Sequence, residues 1–207
     1  MQSSEKFWDT RAEDYAQSPI KNLPAYHEAL ARTKSYLSAE DRVLEVGCGT
    51  GSTALLLAGL VKHITATDFS SNMIAIGRRK AQEQGITNVT FEQATPFDDI
   101  GAQEPFDVVM AYNLLHLLED MPKALGHLHG LLKPGGLFIS KTVCLAEESR
   151  LWRVLIFLMQ RIGFAPFVNS LKVSELEDGI TAQGFEIIET GSYPSYSRGR
   201  YIVARKT

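Results

Sequence analysis

Cysteine, excess charge and long hydrophobic runs are all scarce in this chain. Its 207 residues include two cysteines, Cys48 and Cys144, so a disulfide framework is not expected. The formal net charge is -3, without the basic excess of most nucleic-acid-binding domains. The most apolar stretch, residues 151–168, contains two arginines and a glutamine and is too short and too charged to span a bilayer. The sequence therefore predicts neither a membrane span nor a nucleic-acid partner.

The amino-acid composition is typical of an ordinary globular protein. Hydrophobic residues make up 44% of the chain and charged residues 22%, which suits a packed core with a polar surface. The length fits one domain, and no internal repeat is visible. The first residues have no apolar run that would suggest a signal peptide. We therefore expect a single domain over residues 1–207 and a cytoplasmic location, with the oligomeric state left open.

Three glycines at alternate positions mark the most informative segment. Residues 43–46 are predicted to form a short apolar strand, Gly47, Gly49 and Gly51 follow, and a helical pattern begins at Ser52. Glycines between a strand and a helix let the backbone approach a ligand closely. The dinucleotide fingerprint Gly-x-Gly-x-x-Gly would require glycine at position 52. The segment predicts a ligand site that differs from the usual dinucleotide site, although a tight corner without a ligand also uses glycine.

A second predicted strand, residues 62–68, ends in an acid about twenty residues after the glycines. In a βαβ unit this acid, Asp68, would lie at the carboxyl end of the neighbouring strand, where it can accept hydrogen bonds from both hydroxyls of a ribose. Phe69 and Met73 follow on either side of a predicted helix cap. The pair of motifs indicates a nucleoside-containing ligand; the alternative for Asp68 is a plain helix cap.

With these motifs, the chain resembles the class I S-adenosylmethionine-dependent methyltransferases, in the small single-domain group typified by ubiquinone-biosynthesis-like enzymes. The resemblance runs from about residue 8 to the C-terminus and is best over residues 43–52, 66–73 and 106–139. The alternation of predicted helices and strands suggests an α/β doubly wound sheet with an antiparallel edge. The resemblance implies a Rossmann-like fold of seven mostly parallel strands, with the last strand antiparallel between the fifth and sixth. It also implies S-adenosyl-L-methionine as cofactor.

The resemblance further implies a set of cofactor contacts. Glu45 would act through water or backbone on the cofactor amino group, unless it is an ordinary satisfied carboxylate at a strand end. Phe69 and Met73 would cover the adenine, unless they are plain core residues. Asn113 would contact the methionine end. The implied cofactor-binding residues are Glu45, Gly47, Cys48, Gly49, Gly51, Asp68, Phe69, Met73, Ala94, Thr95 and Asn113.

One position departs from the family pattern. Residues 93–96 are Gln-Ala-Thr-Pro where the resembled enzymes commonly have Gly-Asp-Ala, whose aspartate takes the adenine amino group. Thr95 stands in that place, and its hydroxyl accepts a hydrogen bond without a charge. The backbone of Ala94 and the side chain of Thr95 remain the expected adenine contacts.

Two residues are candidates for a role in catalysis. His116 follows the fourth strand and has an ordinary pKa near neutrality, although a packing role is the alternative. Tyr15 lies in an N-terminal segment, residues 1–40, that resembles the helical lid of these enzymes. By this resemblance Tyr15 would close over the sulfonium, unless the segment is a surface helix with an anchoring aromatic. His127 and His129 have no other ligand types close in sequence, so no metal site is expected.

The class of the methyl acceptor is predicted from the apolar segment near the C-terminal part of the chain. Residues 146–172 are helix-like and, by resemblance, form part of a substrate cover; their aromatic residues do not share one helical stripe. Trp152 and Phe157 would line the acceptor pocket, unless the segment is ordinary core. Apolar pockets suit small organic acceptors.

The expected function is thus transfer of a methyl group from S-adenosylmethionine to a small, largely apolar acceptor, at an atom that the sequence does not identify. A non-catalytic S-adenosylmethionine-binding or regulatory protein and a nicotinamide-dependent oxidoreductase are the alternatives.

Overall fold

The computed structural model of the protein describes residues 2–20, 22–100, 104–146, 167–197 and 199–207. Residues 147–166, with the predicted pocket residues Trp152 and Phe157, therefore lie outside the described part. Across the described part, no helix has the length and apolar character needed to cross a membrane.

Helices and strands alternate along most of the chain. Within the described residues, the helices are α1 (Gln2–Gln17), α2 (Leu23–Lys34), α3 (Ser52–Leu57), α4 (Ser71–Glu83), α5 (Met121–Leu131) and α6 (Val173–Thr181), and 3-10 turns lie at Ala58–Leu60 and Leu115–Leu117. The strands are β1 (Arg42–Val46), β2 (His63–Asp68), β3 (Val89–Gln93), β4 (Phe106–Tyr112), β5 (Leu132–Val143), β6 (Phe185–Ser192) and β7 (Gly199–Lys206).

The strands form one sheet in the order β3-β2-β1-β4-β5-β7-β6. The first five strands pair in parallel, whereas β7 is antiparallel to both β5 and β6. The structure thus confirms the predicted seven-stranded, mostly parallel fold with an antiparallel strand inserted near the C-terminal edge.

The core lies on both faces of this sheet. Val43, Met110 and Ile139 belong to a buried cluster with residues of α2, α3 and α4. Leu44 and Phe138, on the opposite face, belong to a second cluster with residues of α5 and α6. Helices on both faces explain why the central strands are almost continuously apolar.

The topology fixes where a ligand can bind. In a doubly wound sheet, ligands bind beyond the carboxyl ends of the strands, at the point where the strand order reverses. Here that point lies between β1 and β4, because the order runs outward from β1 to β3 on one side and begins again at β4 on the other. The segments after β1, β2 and β4 therefore meet at one edge of the sheet.

Candidate functional site

The turn after β1 is built from left-handed glycines. The φ angles of Gly47, Gly49 and Gly51 are 65°, 54° and 74°, in a region that other residues rarely adopt. Gly51 is the N-cap of α3, and its N–H donates to the carbonyl of Cys48 at 3.0 Å. The sequence pattern that predicted this turn reflects a backbone that only glycine forms without strain.

The three glycines differ in what surrounds them. A Cβ at Gly51 would lie 2.3 Å from Cε1 of Phe91, and a Cβ at Gly47 would lie 2.7 Å from Cδ1 of Leu114. Among the described residues, a Cβ at Gly49 would meet only Cε1 of Tyr15, at an ordinary contact distance of 3.5 Å. Packing therefore requires glycine at Gly47 and Gly51, whereas at Gly49 the described packing does not require it.

Asp68 is joined directly to this turn. Its Oδ2 accepts the backbone N–H of Gly49 at 2.9 Å, and its Oδ1 accepts the N–H of Ser70 at 2.9 Å. Burial raises the pKa of Asp68, and the two N–H groups oppose that effect. Each carboxylate oxygen keeps a further lone pair, so the buried acid is held in place and still able to accept a hydrogen bond from a ligand.

Glu45 has one carboxyl oxygen without a partner. Its side chain is 2% exposed, and Oε2 has no hydrogen-bond partner among the described residues. Burial raises its pKa to about 8, although a hydrogen bond from the backbone of Ala54 opposes this effect. A buried carboxyl with one unpaired oxygen beside the glycine turn fits a ligand that brings its own donor, such as the amino group of S-adenosylmethionine.

Two candidate adenine residues lie in ordinary structural positions. Met73 is 2% exposed and packs with Ala12 of α1 and Ile76. This packing agrees with the core position that was the alternative to adenine contact. Phe69 is half-buried, and its carbonyl accepts a hydrogen bond from Nε2 of Gln93 at 3.0 Å.

The loop after β3 contains a residue that the sequence analysis missed. Oδ2 of Asp98 accepts both the N–H of Thr95, at 2.7 Å, and its Oγ1–H, at 2.8 Å. These bonds lower the pKa of Asp98. The N–H of Ala94 donates to the carbonyl of Asp68 at 3.1 Å. The hydroxyl proton of Thr95 is therefore already donated to Asp98, so the Thr95 oxygen can only accept a hydrogen bond from a ligand. An acid three residues after a threonine is the sequence pattern from which this contact could have been predicted.

Asn113 adopts a left-handed conformation directly after β4, with φ of 53°. Its N–H donates to the carbonyl of Lys141 at 2.7 Å, while its side chain is exposed. Non-glycine residues in this conformation are uncommon and concentrate at functional sites. The side chain of the next residue, Leu114, lies directly beside Gly47. Asn113 therefore lies at the same edge of the sheet as the glycine turn.

His116 is buried in the 3-10 turn that follows. Its side chain is 9% exposed, and Nδ1 has no hydrogen-bond partner in the described ranges. Burial lowers its pKa to about 4. The imidazole is therefore neutral near pH 7 and a poorer base than an exposed histidine.

Tyr15 of α1 lies over the glycine turn. Its ring is next to Gly49 and stands edge-on to Trp8, with ring centroids 5.9 Å apart. Burial raises the pKa of Tyr15, and the nearby charges of Asp68 and Glu45 raise it further. The hydroxyl therefore stays protonated at neutral pH.

A polar contact that sequence reasoning missed holds α1 against α4. Oδ1 of Asp9 accepts the hydroxyl of Ser70 at 2.5 Å and the N–H of Asn72 at 3.3 Å. The side chain of Asn72 in turn donates to the carbonyl of Asp9 at 3.0 Å. Because Ser70 also donates its N–H to Asp68, the N-terminal helix is connected to the acid of the candidate site.

Within the described ranges, no group of three or more histidine, cysteine, aspartate or glutamate side chains is placed to hold a metal ion.

A seven-stranded sheet of this order, with a left-handed glycine turn after β1 and a buried acid after β2, defines the class of Rossmann-like methyltransferases. Comparison with known proteins agrees: the model of a family described as a methyltransferase domain matches residues 37–169. The chain belongs to this family.

Relatives and solved structures support the assignment. The chain is 34% identical over 105 residues to the uncharacterized methyltransferase YcgJ of Bacillus subtilis, which covers 49% of this chain and 40% of that protein. It is 28% identical over 190 residues to a ubiquinone biosynthesis O-methyltransferase of Burkholderia multivorans, covering 89% and 79%. In sequence, the match thus spans less than half the length of YcgJ and of several other curated relatives.

The crystal structure of YcgJ matches with a TM-score of 0.68 at 26% identity, covering 79% of this chain and 71% of that one. An S-adenosylmethionine-dependent methyltransferase from Mesorhizobium loti matches with a TM-score of 0.73 at 19% identity, covering 89% and 99%, and shows the fold alone.

Proposed function

We propose that this protein transfers a methyl group from S-adenosylmethionine to a small, largely apolar organic acceptor. The observation that carries the proposal is the hydrogen bond between Asp68 and Gly49, which holds a buried carboxylate beside the glycine turn. This position supports Asp68 as the acceptor for the ribose hydroxyls. S-adenosylmethionine supplies a methyl group that is already activated on a sulfonium. The protein then has to bind and orient both partners and exclude water, which needs no acid–base pair.

The described residues divide this work between the two ends of the cofactor. Asp68 accepts hydrogen bonds from the ribose, and the loop with Ala94 and Thr95, beside Phe69 and Met73, receives the adenine. At the other end of the cofactor, Glu45 accepts a hydrogen bond from the amino group. Its buried Oε2 without a protein partner supports this role.

The methionine end is completed by residues on three segments. The backbone of Gly47, Cys48, Gly49 and Gly51 allows close approach, and Asn113 contacts the ligand from the end of β4. Tyr15, which lies over the turn, excludes water from the reacting groups. His116 keeps a packing role, which its burial and its lowered pKa support.

The proposed acceptor class has two supports. Relatives of this chain are named as a ubiquinone biosynthesis O-methyltransferase and a demethylmenaquinone methyltransferase. The apolar and aromatic composition of residues 146–172 suits the cover of an apolar ligand.

Two measurements test the proposal. Calorimetry with S-adenosylmethionine, S-adenosylhomocysteine and NAD is expected to show binding of the first two only; binding of NAD alone would instead favour an oxidoreductase. A panel of small phenols, amines, thiols and carboxylic acids is then assayed for formation of S-adenosylhomocysteine. Cofactor binding without turnover on any acceptor would favour a non-catalytic binding protein.

A further inference from the structure

Lys141 occupies an unusual place on the sheet. It lies near the carboxyl end of β5, paired with Tyr112 of β4 on one side and with Tyr201 of β7 on the other. Since it follows Ile139 by two residues, its side chain points to the same face, toward α2. A lysine therefore stands between two tyrosines at the edge where the candidate site lies.

The ammonium group of Lys141 is buried with little compensation. The residue is 9% exposed, and Nζ donates to the carbonyl of Ala25 in α2 at 2.8 Å. Within the described part of the chain, no carboxylate forms an ion pair with it. An ammonium carries three N–H donors, so two of them remain for another acceptor.

The contact with Ala25 does not account for the charge. In an α-helix this carbonyl already accepts from the backbone N–H four residues later, so the bond to Lys141 is an additional one. Burying a cation against a single neutral acceptor is costly. A neutral side chain would connect α2 to β5 at a smaller cost.

The neighbouring side chains form a polar layer under α2. Oγ1 of Thr33 is hydrogen-bonded to the hydroxyls of both Tyr112 and Tyr201, the latter at 3.2 Å. Burial raises the pKa of both tyrosines, so they remain neutral. Burial lowers the pKa of Lys141, and among the described residues the charge of Glu28 opposes this effect.

Lys141 is connected to the candidate site on one side and has room for its side chain on the other. The backbone carbonyl of Lys141 accepts the N–H of Asn113 at 2.7 Å, so Lys141 is one hydrogen bond away from an expected cofactor contact. On the other side, Gly199 begins β7, and a Cβ there would lie 2.9 Å from Cε of Lys141. Glycine at this position leaves room for the lysine stem.

We propose that Lys141 binds the methyl acceptor through an acidic hydroxyl of the phenol or enol type and holds its oxygen as an anion for methylation. This inference rests on the proposed function and narrows its acceptor class. The hydroxyl proton passes to the lysine amine or, where the amine is already an ammonium, to solvent. The anionic oxygen then forms a bond to the methyl carbon as the carbon–sulfur bond of the sulfonium breaks, which leaves a methyl ether and a neutral thioether.

The test uses an acidic phenol and its methyl ether as probes. The full-length protein, saturated with S-adenosylhomocysteine, is titrated with para-nitrophenol and with para-nitroanisole, which has no ionisable hydroxyl. We expect at least about tenfold tighter binding of the phenol, the contribution of one charge-assisted hydrogen bond. The bound phenol is also expected to show the visible absorption of its anion at a pH where the free phenol is protonated.

Variants then assign the effect to the lysine. Lys141→Met is expected to remove the preference for the phenol and the anion spectrum, while Lys141→Arg retains both in part. Gly199→Ala, which keeps the charge but displaces the amine, is expected to weaken the preference. Thr142→Val alters the next residue, whose buried hydroxyl has no partner in the described structure, and serves as the matched control with unchanged binding.

The outcomes separate this inference from the proposed function. Absence of S-adenosylhomocysteine binding in the wild type would overturn both. Binding of S-adenosylhomocysteine without a preference for the phenol would overturn the role of Lys141 alone. The role of Lys141 would also be overturned if Lys141→Met kept the full preference for the phenol. If Lys141→Met does not fold, an unchanged preference in Gly199→Ala would overturn it.

Discussion

The carboxylate of Asp68 accepts the backbone N–H of Gly49 at 2.9 Å, although Asp68 lies 19 residues after Gly49 in the chain. This bond joins the glycine turn after β1 to the acid at the end of β2. The second oxygen is held by Ser70, so the acid has a fixed orientation before any ligand arrives. Such preorganisation lowers the cost of binding.

Replacing Asp68 tests the ribose assignment. Asp68→Ala is expected to weaken S-adenosylmethionine binding by about 1–3 kcal/mol, because ribose donors lose a charged acceptor. Asp68→Asn, which keeps one acceptor oxygen beside the turn, is expected to lose less. Asp99→Asn, at a side chain that is 87% exposed, is the control. Equal affinity in the wild type and in Asp68→Ala, measured by calorimetry, would show the assignment to be wrong.

Two glycines of the turn are expected to respond differently to substitution. Gly49→Val is expected to abolish cofactor binding while the protein still folds, because only the ring of Tyr15 lies near the new side chain. The left-handed backbone adds a cost of roughly 1–2 kcal/mol to stability. Gly51→Val, which meets the ring of Phe91, is expected to lower stability more. Thermal unfolding and calorimetry on both variants measure the difference; intact cofactor affinity in folded Gly49→Val would contradict the ligand assignment.

The raised pKa of Glu45 predicts proton release on cofactor binding. With a pKa of about 8, the carboxyl group is mostly protonated at pH 7, whereas a bound ammonium would stabilise its anion. Binding of S-adenosylmethionine at pH 7 is therefore expected to release up to about one proton. Calorimetry in buffers with different ionisation enthalpies measures this number. Glu45→Gln is expected to release none, and the same release in both proteins would rule out Glu45 as the source.

The sequence predicted the parts of the fold and site that depend on local patterns. Alternating glycines predicted a tight turn between a strand and a helix, and the structure shows that this turn has the left-handed backbone that few other residues adopt. An acid at a strand end predicted the position of Asp68. The strand order came from the family resemblance, since hydrophobic periodicity does not say which strands are neighbours.

The contacts that the sequence did not predict are long-range. Asp9 lies 61 residues before Ser70, and Lys141 lies 116 residues after Ala25, yet each pair is hydrogen-bonded. Nothing in the local sequence distinguishes these residues from solvent-exposed charges. Their roles depend on which helix covers which strand, and that depends on the packing of the whole domain.

His116 is expected to affect acid stability more than activity. Its pKa in the folded protein, about 4, lies below the ordinary value of 6.5. The unfolded chain therefore takes up a proton before the folded one, and stability is lost as pH falls from about 6.5 to 4, by up to about 1.4 kcal/mol per pH unit. His116→Asn is expected to lack this loss and to keep cofactor binding and turnover. Urea unfolding across this pH range compares the two proteins; parallel curves would contradict the burial argument, and loss of turnover with intact binding would instead assign His116 a chemical role.

The contact of Asp9 with α4 predicts that the N-terminal helix controls cofactor release. Asp9→Ala removes the acceptor for Ser70 and Asn72 and so loosens the helix that carries Tyr15 over the glycine turn. A hydrogen bond to a charged group contributes about 1.5–3 kcal/mol, so we expect S-adenosylhomocysteine to dissociate about tenfold faster or more, as measured by stopped-flow displacement. Glu13→Ala, on the same helix, removes only an exposed ion pair with Arg79 at 3.3 Å, which contributes roughly 0–1 kcal/mol, and is expected to leave the rate nearly unchanged. If Asp9→Ala and the wild type release the ligand at the same rate, α1 does not cover the cofactor site.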